Sequence, residues 1–231
     1  MCGRYALATP TEELVEIFDV GHVAFSDLLP RYNVAPTQHA PVIVPGRDGE
    51  RRMGLMRWGL IPFWADSPAI GHRLINARSE TAATKPAFRE AWRRRRCLIP
   101  ADGFYEWRKP TSDSDGPGGK TPFWVHRADG LPLAMAGLWE RWRSSDSGEE
   151  WHSFTILTRP ASPWMRPLHQ RMPVLLQAEE FQPWLTPGTE LRSAEEIQLS
   201  AHEVSRRVNS PANDEPECLE VVAGGEVIPP A

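Results

Sequence analysis

The feature that most constrains the fold is a succession of short apolar stretches separated by Pro, Gly and polar turn residues. The chain contains 23 Pro and 17 Gly among its 231 residues. Because proline interrupts helices and glycine favours turns, this spacing excludes a bundle of long helices. Short apolar runs bounded by turn residues are typical of buried strands. We therefore predict strands at residues 41–44, 53–60, 97–100, 104–108, 123–127, 133–139, 153–158, 172–176 and 204–208.

A few short segments carry helix signals instead. Thr9 is a capping residue, Pro10 suits the first helical position, and Glu12 completes a capping box. Further short helices are predicted near residues 86–93, 162–169 and 178–185, and residues 31–36 are predicted to be irregular. Many strands with few helices predict a single α+β domain. Its core would be a curved mixed or antiparallel β-sheet or a barrel-like sheet, with helices packed outside.

The domain is expected to span residues 1–209. Residues 210–231 form an acidic tail rich in Pro and Gly, which we expect to be frayed. Residues 111–120 are rich in Ser, Asp, Gly and Pro, which indicates a mobile hairpin loop rather than a domain boundary.

Cysteine usage and hydropathy limit the classes of protein that fit. The three cysteines are odd in number and far apart, which argues against a disulfide framework and for a reducing compartment. The apolar runs fall short of the roughly 20 residues that span a membrane, and the N-terminus has no signal-peptide pattern. The sequence lacks a Cys-x-x-Cys motif and a close His/Cys pair. We therefore expect no metal and no cofactor.

The net charge of −4 conceals a strong asymmetry. Residues 31–109 carry a balance of +8, whereas residues 178–231 carry −8. A basic region of this size suits a phosphate backbone, since the local field matters more than the total charge. The run Arg93 to Arg96 is open to a second interpretation, that of a solvated helix end.

Cys2 is the most informative single residue for function. Initiator methionine is normally trimmed before a small residue, which leaves a cysteine with a free α-amine. With pKa values of about 8 for the amine and about 8.5 for the thiol, both groups keep a reactive fraction near neutral pH. A 1,2-aminothiol condenses with an aldehyde to an imine and then closes to a thiazolidine ring. Gly3 favours this interpretation over a flexible terminus, because glycine lets the backbone approach a ligand closely.

Three further residues stand out by their neighbours. Asn76 follows two apolar strand residues, and its amide either forms a turn or orients a hydroxyl or carbonyl oxygen. Glu106 is flanked by three aromatic residues. An inward orientation would raise its pKa and suit a general acid, and an outward one would leave it in solvent. His169 lies at a predicted helix–strand junction, where a hydrogen-bonding role and a catalytic role both stay open.

These residues belong to motifs that follow one another in a specific order. The motifs are Met-Cys-Gly-Arg at the start, Arg-Tyr-Asn-Val-Ala-Pro at 31–36, Trp-Gly-Leu-Ile-Pro at 58–62, Ile-Asn-Ala-Arg-Ser-Glu-Thr at 75–81, Gly-Phe-Tyr-Glu-Trp at 103–107, His-Gln-Arg-Met-Pro at 169–173 and Val-Ser-Arg-Arg-Val-Asn at 204–209. With this set the chain resembles the SRAP family, the SOS response-associated peptidases, now understood as abasic-site processing proteins. The resemblance extends from residue 1 to residue 209.

The resemblance implies that the protein captures abasic sites in single-stranded DNA, typically near a junction with duplex. Cys2, after removal of Met1, would form a thiazolidine crosslink with the C1′ aldehyde of the opened sugar and so shield the lesion. Glu106 would assist ring opening by proton transfer, and Asn76 would position the reacting group. His169 would assist Schiff-base chemistry and crosslink reversal.

The resemblance also implies a set of DNA-contacting residues. Arg4, Arg78 and Arg171 match positions that grip phosphates, and Trp64 matches an aromatic residue that stacks on DNA where the strand bends. Some relatives place a second aromatic residue next, where this chain has Ala65. The full implied set is Gly3, Arg4, Pro36, Trp64, Arg78, Thr158 and Arg171.

Two other functions fit parts of the sequence. An N-terminal-cysteine peptidase or hydrolase would use Cys2 as nucleophile with its own amine as base, and would remove Met1 autoproteolytically. A non-catalytic reader of single-stranded DNA would bind without forming a covalent product. For the crosslinking function we expect a monomer in the bacterial cytoplasm, associated with the nucleoid and without a membrane partner.

Overall fold

Strands dominate the structure, which the computed structural model describes for residues 2–110, 119–189 and 197–230. The strands are β1 (Tyr5–Leu7), β2 (Val20–Val23), β3 (Arg31–Val34), β4 (His39–Pro45), β5 (Arg51–Trp58), β6 (Asn76–Arg78), β7 (Arg96–Ala101), β8 (Gly103–Arg108), β9 (Thr121–Arg127), β10 (Leu133–Arg143), β11 (Glu150–Pro160), β12 (Arg171–Pro173), β13 (Leu175–Leu176), β14 (Leu199–Glu203) and β15 (Val227–Ile228). The α-helices are α1 (Thr11–Phe18), α2 (Ser79–Ala82), α3 (Arg89–Arg94) and α4 (Ala178–Leu185), and short 3₁₀ helices lie at Pro68–Arg73, Arg206–Asn209 and Pro216–Cys218.

The larger sheet closes into a barrel. Its main path runs β12-β11-β10-β7-β4-β5-β2, with β6 and β13 attached to β11 and β10. Strand β5 also pairs in parallel with β11, through Ser153 opposite Arg57 and Phe154 opposite Trp58. This pairing joins β11, β10, β7, β4 and β5 into a closed ring of five strands, which leaves no open edge within the ring. The predicted α+β domain with a barrel-like core is confirmed.

The smaller sheet carries the N-terminus. Its six strands run in the order β15-β14-β9-β8-β1-β3. β1 is antiparallel to β8, with Tyr5 opposite Phe104 and Ala6 opposite Gly103. The Tyr105 amide donates to the carbonyl oxygen of Arg4 at 3.0 Å, so the pairing extends toward the chain start. This register brings Cys2 close to the segment of β8 that contains Glu106.

A buried tryptophan connects the two sheets. The ring centroid of Trp58 lies 5.2 Å from that of Tyr5 and 6.2 Å from that of Phe154. The Trp58 side chain is fully buried, and its indole N–H donates to the carbonyl oxygen of Ile75 at 2.9 Å. Aromatic rings bury large areas and fix the elements that they join. Trp58 therefore holds the chain that leads directly into Asn76.

The predicted start of α1 is wrong in its detail. Pro10 occupies the cap position and makes no side-chain capping bond. The Thr9 hydroxyl donates to the Asp102 carboxylate at 2.5 Å instead, because the β7–β8 turn brings that carboxylate within reach. A tertiary contact has thus replaced the local capping box.

Four other sequence predictions are corrected by the structure. The segment 162–169 forms turns rather than a helix, and residues 31–34 pair with β1 as strand β3. The strand predicted at 204–208 is wrong: the chain forms β14 just before it and then a 3₁₀ helix, in which the Ser205 hydroxyl accepts from the Arg207 amide at 3.3 Å. The loop predicted at 111–120 is not one of these corrections, because it lies mostly outside the described residues and stays a prediction.

The fourth correction concerns the tail, which is not frayed between residues 210 and 230. Asn33, which is buried, donates from its side-chain amide to the carbonyl oxygens of Val208, Ser210 and Asn213 at 3.1, 3.0 and 2.7 Å. Strand β15 then pairs with β14. Composition did not reveal this docking, because it depends on one buried amide far away in the sequence. Among the described residues, the helices are all too short or too polar to cross a membrane.

Candidate active site

The four predicted catalytic residues converge where the two sheets meet. Cys2 leads into β1 and Glu106 lies on β8, both in the smaller sheet. Asn76 begins β6, which pairs in parallel with β11 of the larger sheet through Asn76 opposite Ile156. His169 immediately precedes β12, which pairs with the end of β11. Segments nearly 170 residues apart in the chain thus form one site.

Asn76 holds the main chain of Cys2. Its side-chain Nδ2 donates to the carbonyl oxygen of Cys2 at 2.7 Å. The Asn76 Oδ1 atom is buried and has no hydrogen-bond partner among the described residues. A buried amide oxygen without a donor is costly, and such atoms are uncommon in native proteins. Asn76 therefore fixes Cys2 on one side and offers an acceptor on the other.

Glu106 points inward, which settles the alternative that the sequence left open. The residue is 2% exposed. Burial raises the pKa of its carboxyl group above the ordinary range, and the charge of nearby His169 opposes this rise. A carboxyl group with a raised pKa holds its proton closer to neutral pH, which suits a general acid.

The Cys2 thiol is also withdrawn from water. The residue is 0% exposed, and its Sγ lies 3.8 Å from the carbonyl oxygen of Arg4. Burial raises the pKa of the thiol strongly, and the negative charge of Glu106 raises it further. Desolvation and a carboxylate therefore both oppose the thiolate in this buried state, whereas the expected reactive fraction concerns the chain after removal of Met1 and stays a prediction.

His169 is oriented by the residue that begins β12. The backbone amide of Arg171 donates to the His169 Nδ1 at 3.0 Å. Nδ1 also lies 3.1 Å from the carbonyl oxygen of Arg171, so the main chain of Arg171 contacts this nitrogen through both of its polar groups. The ring also lies close enough to Glu106 for its charge to affect that carboxyl group. His169 and Glu106 are therefore neighbours in this site.

The three predicted phosphate-binding arginines differ in availability. Arg78 is exposed, on the last residue of β6. The Arg4 guanidinium donates to Asn33 Oδ1 at 2.9 Å and to the carbonyl oxygens of Val208 and Asn209 at 2.7 and 3.2 Å. Arg4 therefore ties the N-terminal segment to the chain beyond β14, whereas Arg78 faces solvent.

Arg171 is engaged by two groups of the protein. It forms a two-point ion pair with Glu80, and one nitrogen also donates to the carbonyl and hydroxyl oxygens of Thr158. Thr158 itself is 0% exposed. In this conformation Thr158 is buried and accepts hydrogen bonds from Arg171. Its contacts therefore suit a residue that positions the arginine.

Two aromatic residues lie exposed on the loop that follows β5. Trp64 is 48% exposed and Phe63 is 55% exposed. The loop is anchored by the indole N–H of Trp142, which donates to the carbonyl oxygen of Ala65 at 2.6 Å. Sequence reasoning assigned only Trp64 of this pair to DNA contact. The available signal was the pair of aromatic residues directly after Pro62. The proline ends the predicted strand, so both side chains lie on a loop rather than in a buried strand.

The remaining predicted contacts lie in the same N-terminal half of the chain. Gly3 and Pro36 are both half-buried. Among the described residues, no group of three or more His, Cys, Asp and Glu side chains could hold a metal ion.

The basic run Arg93 to Arg96 is divided between two roles. Arg96 is 3% exposed, and its guanidinium lies 4.6 Å from the ring centroid of Trp184 and donates to that residue's carbonyl oxygen. Arg95 pairs with the buried carboxylate of Glu140 at 2.8 Å. The last two arginines are therefore structural, and the first two are exposed.

Comparison with known proteins identifies the family. Residues 1–211 match the model of the SRAP family, described as SOS response associated peptidase. The chain belongs to the SRAP family. It is 37% identical over 230 residues to the abasic site processing protein YoqW of Bacillus subtilis (strain 168), covering 95% of this chain and 99% of YoqW. It is 33% identical to the abasic site processing protein YedK of Escherichia coli (strain K12), covering 96% of this chain and all of YedK.

A solved structure shares the SRAP fold seen here. A crystal structure of a protein from Bacteroides thetaiotaomicron superposes with a TM-score of 0.80 at 25% identity, covering 96% of this chain and all of that chain. The single-domain arrangement, with a closed barrel and an attached second sheet, is therefore that of the family.

Proposed function

We propose that this SRAP protein captures abasic sites in single-stranded DNA by a covalent thiazolidine crosslink through Cys2, after removal of Met1. The observation that carries the proposal is the arrangement around Cys2. The residue is fully buried, its carbonyl oxygen is held by Asn76, and it lies within the electrostatic reach of Glu106. The names of the relatives, abasic site processing proteins, support the choice of lesion.

The chemistry begins with the α-amine of Cys2. The neutral amine attacks the C1′ aldehyde of the ring-opened sugar and gives a carbinolamine. A general acid protonates the departing hydroxyl, water leaves, and a protonated imine forms. The conjugate base of that acid takes the thiol proton while the sulfur adds to the carbon of the protonated imine, which closes the thiazolidine and leaves a neutral ring nitrogen. The net change is the loss of one water.

The raised pKa values order these steps. Because burial keeps Glu106 protonated more readily than an exposed glutamate, it can supply the proton that expels water. The carboxylate that results is then a base for the Cys2 thiol, whose own high pKa keeps it protonated until that moment. One carboxyl group thus serves both steps, and the amine reacts before the sulfur does.

Exposed side chains at the end of β6 and on the loop after β5 fit single-stranded DNA. Arg78 offers an exposed cation, and Phe63 and Trp64 offer exposed ring faces. Aromatic stacking tolerates any base, and phosphate contacts are independent of sequence. Recognition would therefore depend on the missing base and the accessible sugar rather than on neighbouring bases.

A denaturing gel tests the proposal directly. Protein lacking Met1 is incubated with single-stranded DNA that contains one abasic site, and we expect a heat-stable adduct with the mass of protein plus DNA minus one water. Cys2→Ala keeps an α-amine, so it should lose the heat-stable adduct but retain one that borohydride traps. An equally heat-stable adduct from Cys2→Ala would exclude the thiazolidine.

The same experiment separates the other functions. A non-covalent reader would bind this DNA with no adduct under any condition. A peptidase would instead turn over a peptide or amide substrate without DNA and lose that turnover with Cys2→Ala. Either pattern would replace the crosslinking function.

A further inference from the structure

Arg171 is occupied by an anion of the protein itself. Its Nη1 donates to the Glu80 Oε1 at 2.5 Å, and its Nη2 donates to the Glu80 Oε2 at 2.9 Å. Nη2 also donates to the carbonyl and hydroxyl oxygens of Thr158 at 2.5 and 3.2 Å. A guanidinium binds a carboxylate and a phosphate in this same two-point geometry. The carboxylate therefore fills a position that a phosphate also fits.

Glu80 covers the guanidinium from the solvent side. The Glu80 side chain is 44% exposed, whereas that of Arg171 is 14% exposed. The hydrogen bonds from Arg171 lower the pKa of Glu80 to about 2, so the carboxylate is charged at any physiological pH. A DNA strand that approaches Arg171 from solvent meets this carboxylate first.

Glu80 has a second basic neighbourhood available. It lines a cavity of about 730 Å³ together with Arg93, Arg96 and Ser79. The Arg93 side chain is 68% exposed, and its contact with the Glu90 carboxylate is long, at 3.7 Å. A carboxylate that leaves Arg171 can turn toward this cavity and remain near a positive charge, which keeps the cost of the exchange small.

We propose that Glu80 is a placeholder for a DNA phosphate on Arg171. In the free protein the carboxylate holds the guanidinium in place, and it leaves when a phosphate of the single strand arrives. The inference rests on the proposed function for the identity of the anion. Because a phosphate replaces a carboxylate on the same guanidinium, the exchange adds little net attraction between the protein and DNA. Other contacts must therefore hold the strand before Arg171 becomes available to it.

The salt dependence of binding provides the test. Non-covalent affinity for an intact single-stranded oligonucleotide is measured in a Cys2→Ala background, with and without Glu80→Gln, from about 50 to 200 mM salt. We expect Glu80→Gln to bind about threefold to fivefold more tightly at low salt, the range of an exposed ion pair. The salt slope should become steeper by about 0.7, because Arg171 then neutralises a phosphate without releasing a carboxylate.

Asp129→Asn is the matched control. Asp129 forms a two-point pair with Arg127 at 2.9 and 2.5 Å, its side chain is 49% exposed, and this pairing also lowers the pKa of Asp129 to about 2. The variant removes the same charge at the β9–β10 turn and should leave affinity and slope unchanged. A gain of equal size in Asp129→Asn would reduce the effect to net charge and overturn the proposal.

Three other outcomes also decide the question. Unchanged or weaker binding by Glu80→Gln, or a flatter slope, would show that Glu80 only orients Arg171. A gain that persists in Arg171→Ala would show that the exchange is not on Arg171. Absence of any crosslink to abasic DNA would refute the proposed function, yet the comparison on intact DNA would still stand or fall by itself. Melting temperatures verify that each variant is folded.

Discussion

Cys2 and Glu106 are 0% and 2% exposed, whereas Phe63 and Trp64 on the loop after β5 are 55% and 48% exposed. We call the first two residues the buried centre and the last two, with Arg78, the exposed rim. In the buried centre, burial raises the pKa of both side chains, which is the condition that the proposed proton transfer requires. On the exposed rim the side chains keep their hydration and offer charge and ring area. Reactivity and affinity are thus assigned to different residues, and substitutions should separate them.

The largest expected effect is on the rate in the buried centre. Glu106→Gln keeps the shape of the side chain but cannot transfer a proton, so crosslinking should slow by about 10²- to 10⁴-fold. Affinity for intact single-stranded DNA should change little, because the residue is not on the exposed rim. Single-turnover gels across pH, compared with binding isotherms, measure both quantities. A wild-type rate in the variant at every pH would make Glu106 structural and remove the distinction between the two regions.

The next effect is on affinity at the exposed rim. Trp64→Ala and Phe63→Ala should each weaken binding of single-stranded DNA by about 1–3 kcal/mol, the value of one stacked base. The crosslinking rate at saturating DNA should stay close to wild type. Leu131, which is 51% exposed at the β9–β10 turn, offers a control, and Leu131→Ala should bind normally. If Phe63→Ala also binds normally, the loop presents a single stacking residue.

Substitutions of Arg78 and Arg4 distinguish a residue of the exposed rim from a residue of the structural framework. Arg78→Ala should lower the dependence of DNA-binding affinity on salt concentration by about 0.7 in slope, the value of one phosphate contact to a single strand. The reduction should be the same for oligonucleotides of any base sequence. Arg4→Ala should instead lower the melting temperature, by about 2–4 °C per kcal/mol lost, since Asn33 and two carbonyl oxygens lose their donor. Salt titrations and thermal melts on both variants distinguish these roles. The reverse pattern would place Arg4 on the exposed rim and Arg78 in the structural framework.

The smallest effect is on stability. Burial raises the pKa of Glu106 above its unfolded value, so the folded state binds more protons and loses stability as pH rises through that interval. Glu106→Gln has no charge to bury and should melt higher than wild type near pH 8, by about 2–4 °C for each kcal/mol recovered. The difference should disappear near pH 4, where both side chains are neutral. Melting curves at the two pH values check the sign.

Local sequence patterns predicted most helices and strands well. The predictions that were wrong concern features that depend on contacts between residues far apart in the chain. The helix at 178–185 has the predicted bounds, and the strands at 104–108 and 123–127 each extend by one or two residues. These segments carry their own signals of periodicity and turn residues. The predictions of a local capping box for α1 and of a frayed tail at residues 210–230 were wrong for one shared reason. Each depends on a single side chain, Asp102 or Asn33, that lies about 90 or 180 residues away.

The candidate site shows the same division. Its four predicted catalytic residues were selected by motif order, and the inward orientation of Glu106 was one of two open alternatives. Two properties were beyond reach from the sequence: the raised pKa of the Cys2 thiol and the occupation of Arg171 by Glu80. Both are consequences of burial and approach in space, which neither composition nor spacing encodes.

The docking of Arg4 has a consequence for synthesis. Arg4 is bound by the carbonyl oxygens of Val208 and Asn209, which follow it in the chain by 204 and 205 residues. At about 5–20 residues per second, a ribosome needs roughly 10 to 40 s to deliver them. Throughout that interval a nascent chain holds an incomplete pocket. We therefore expect the N-terminal segment to dock fully only after residue 209 has been synthesised.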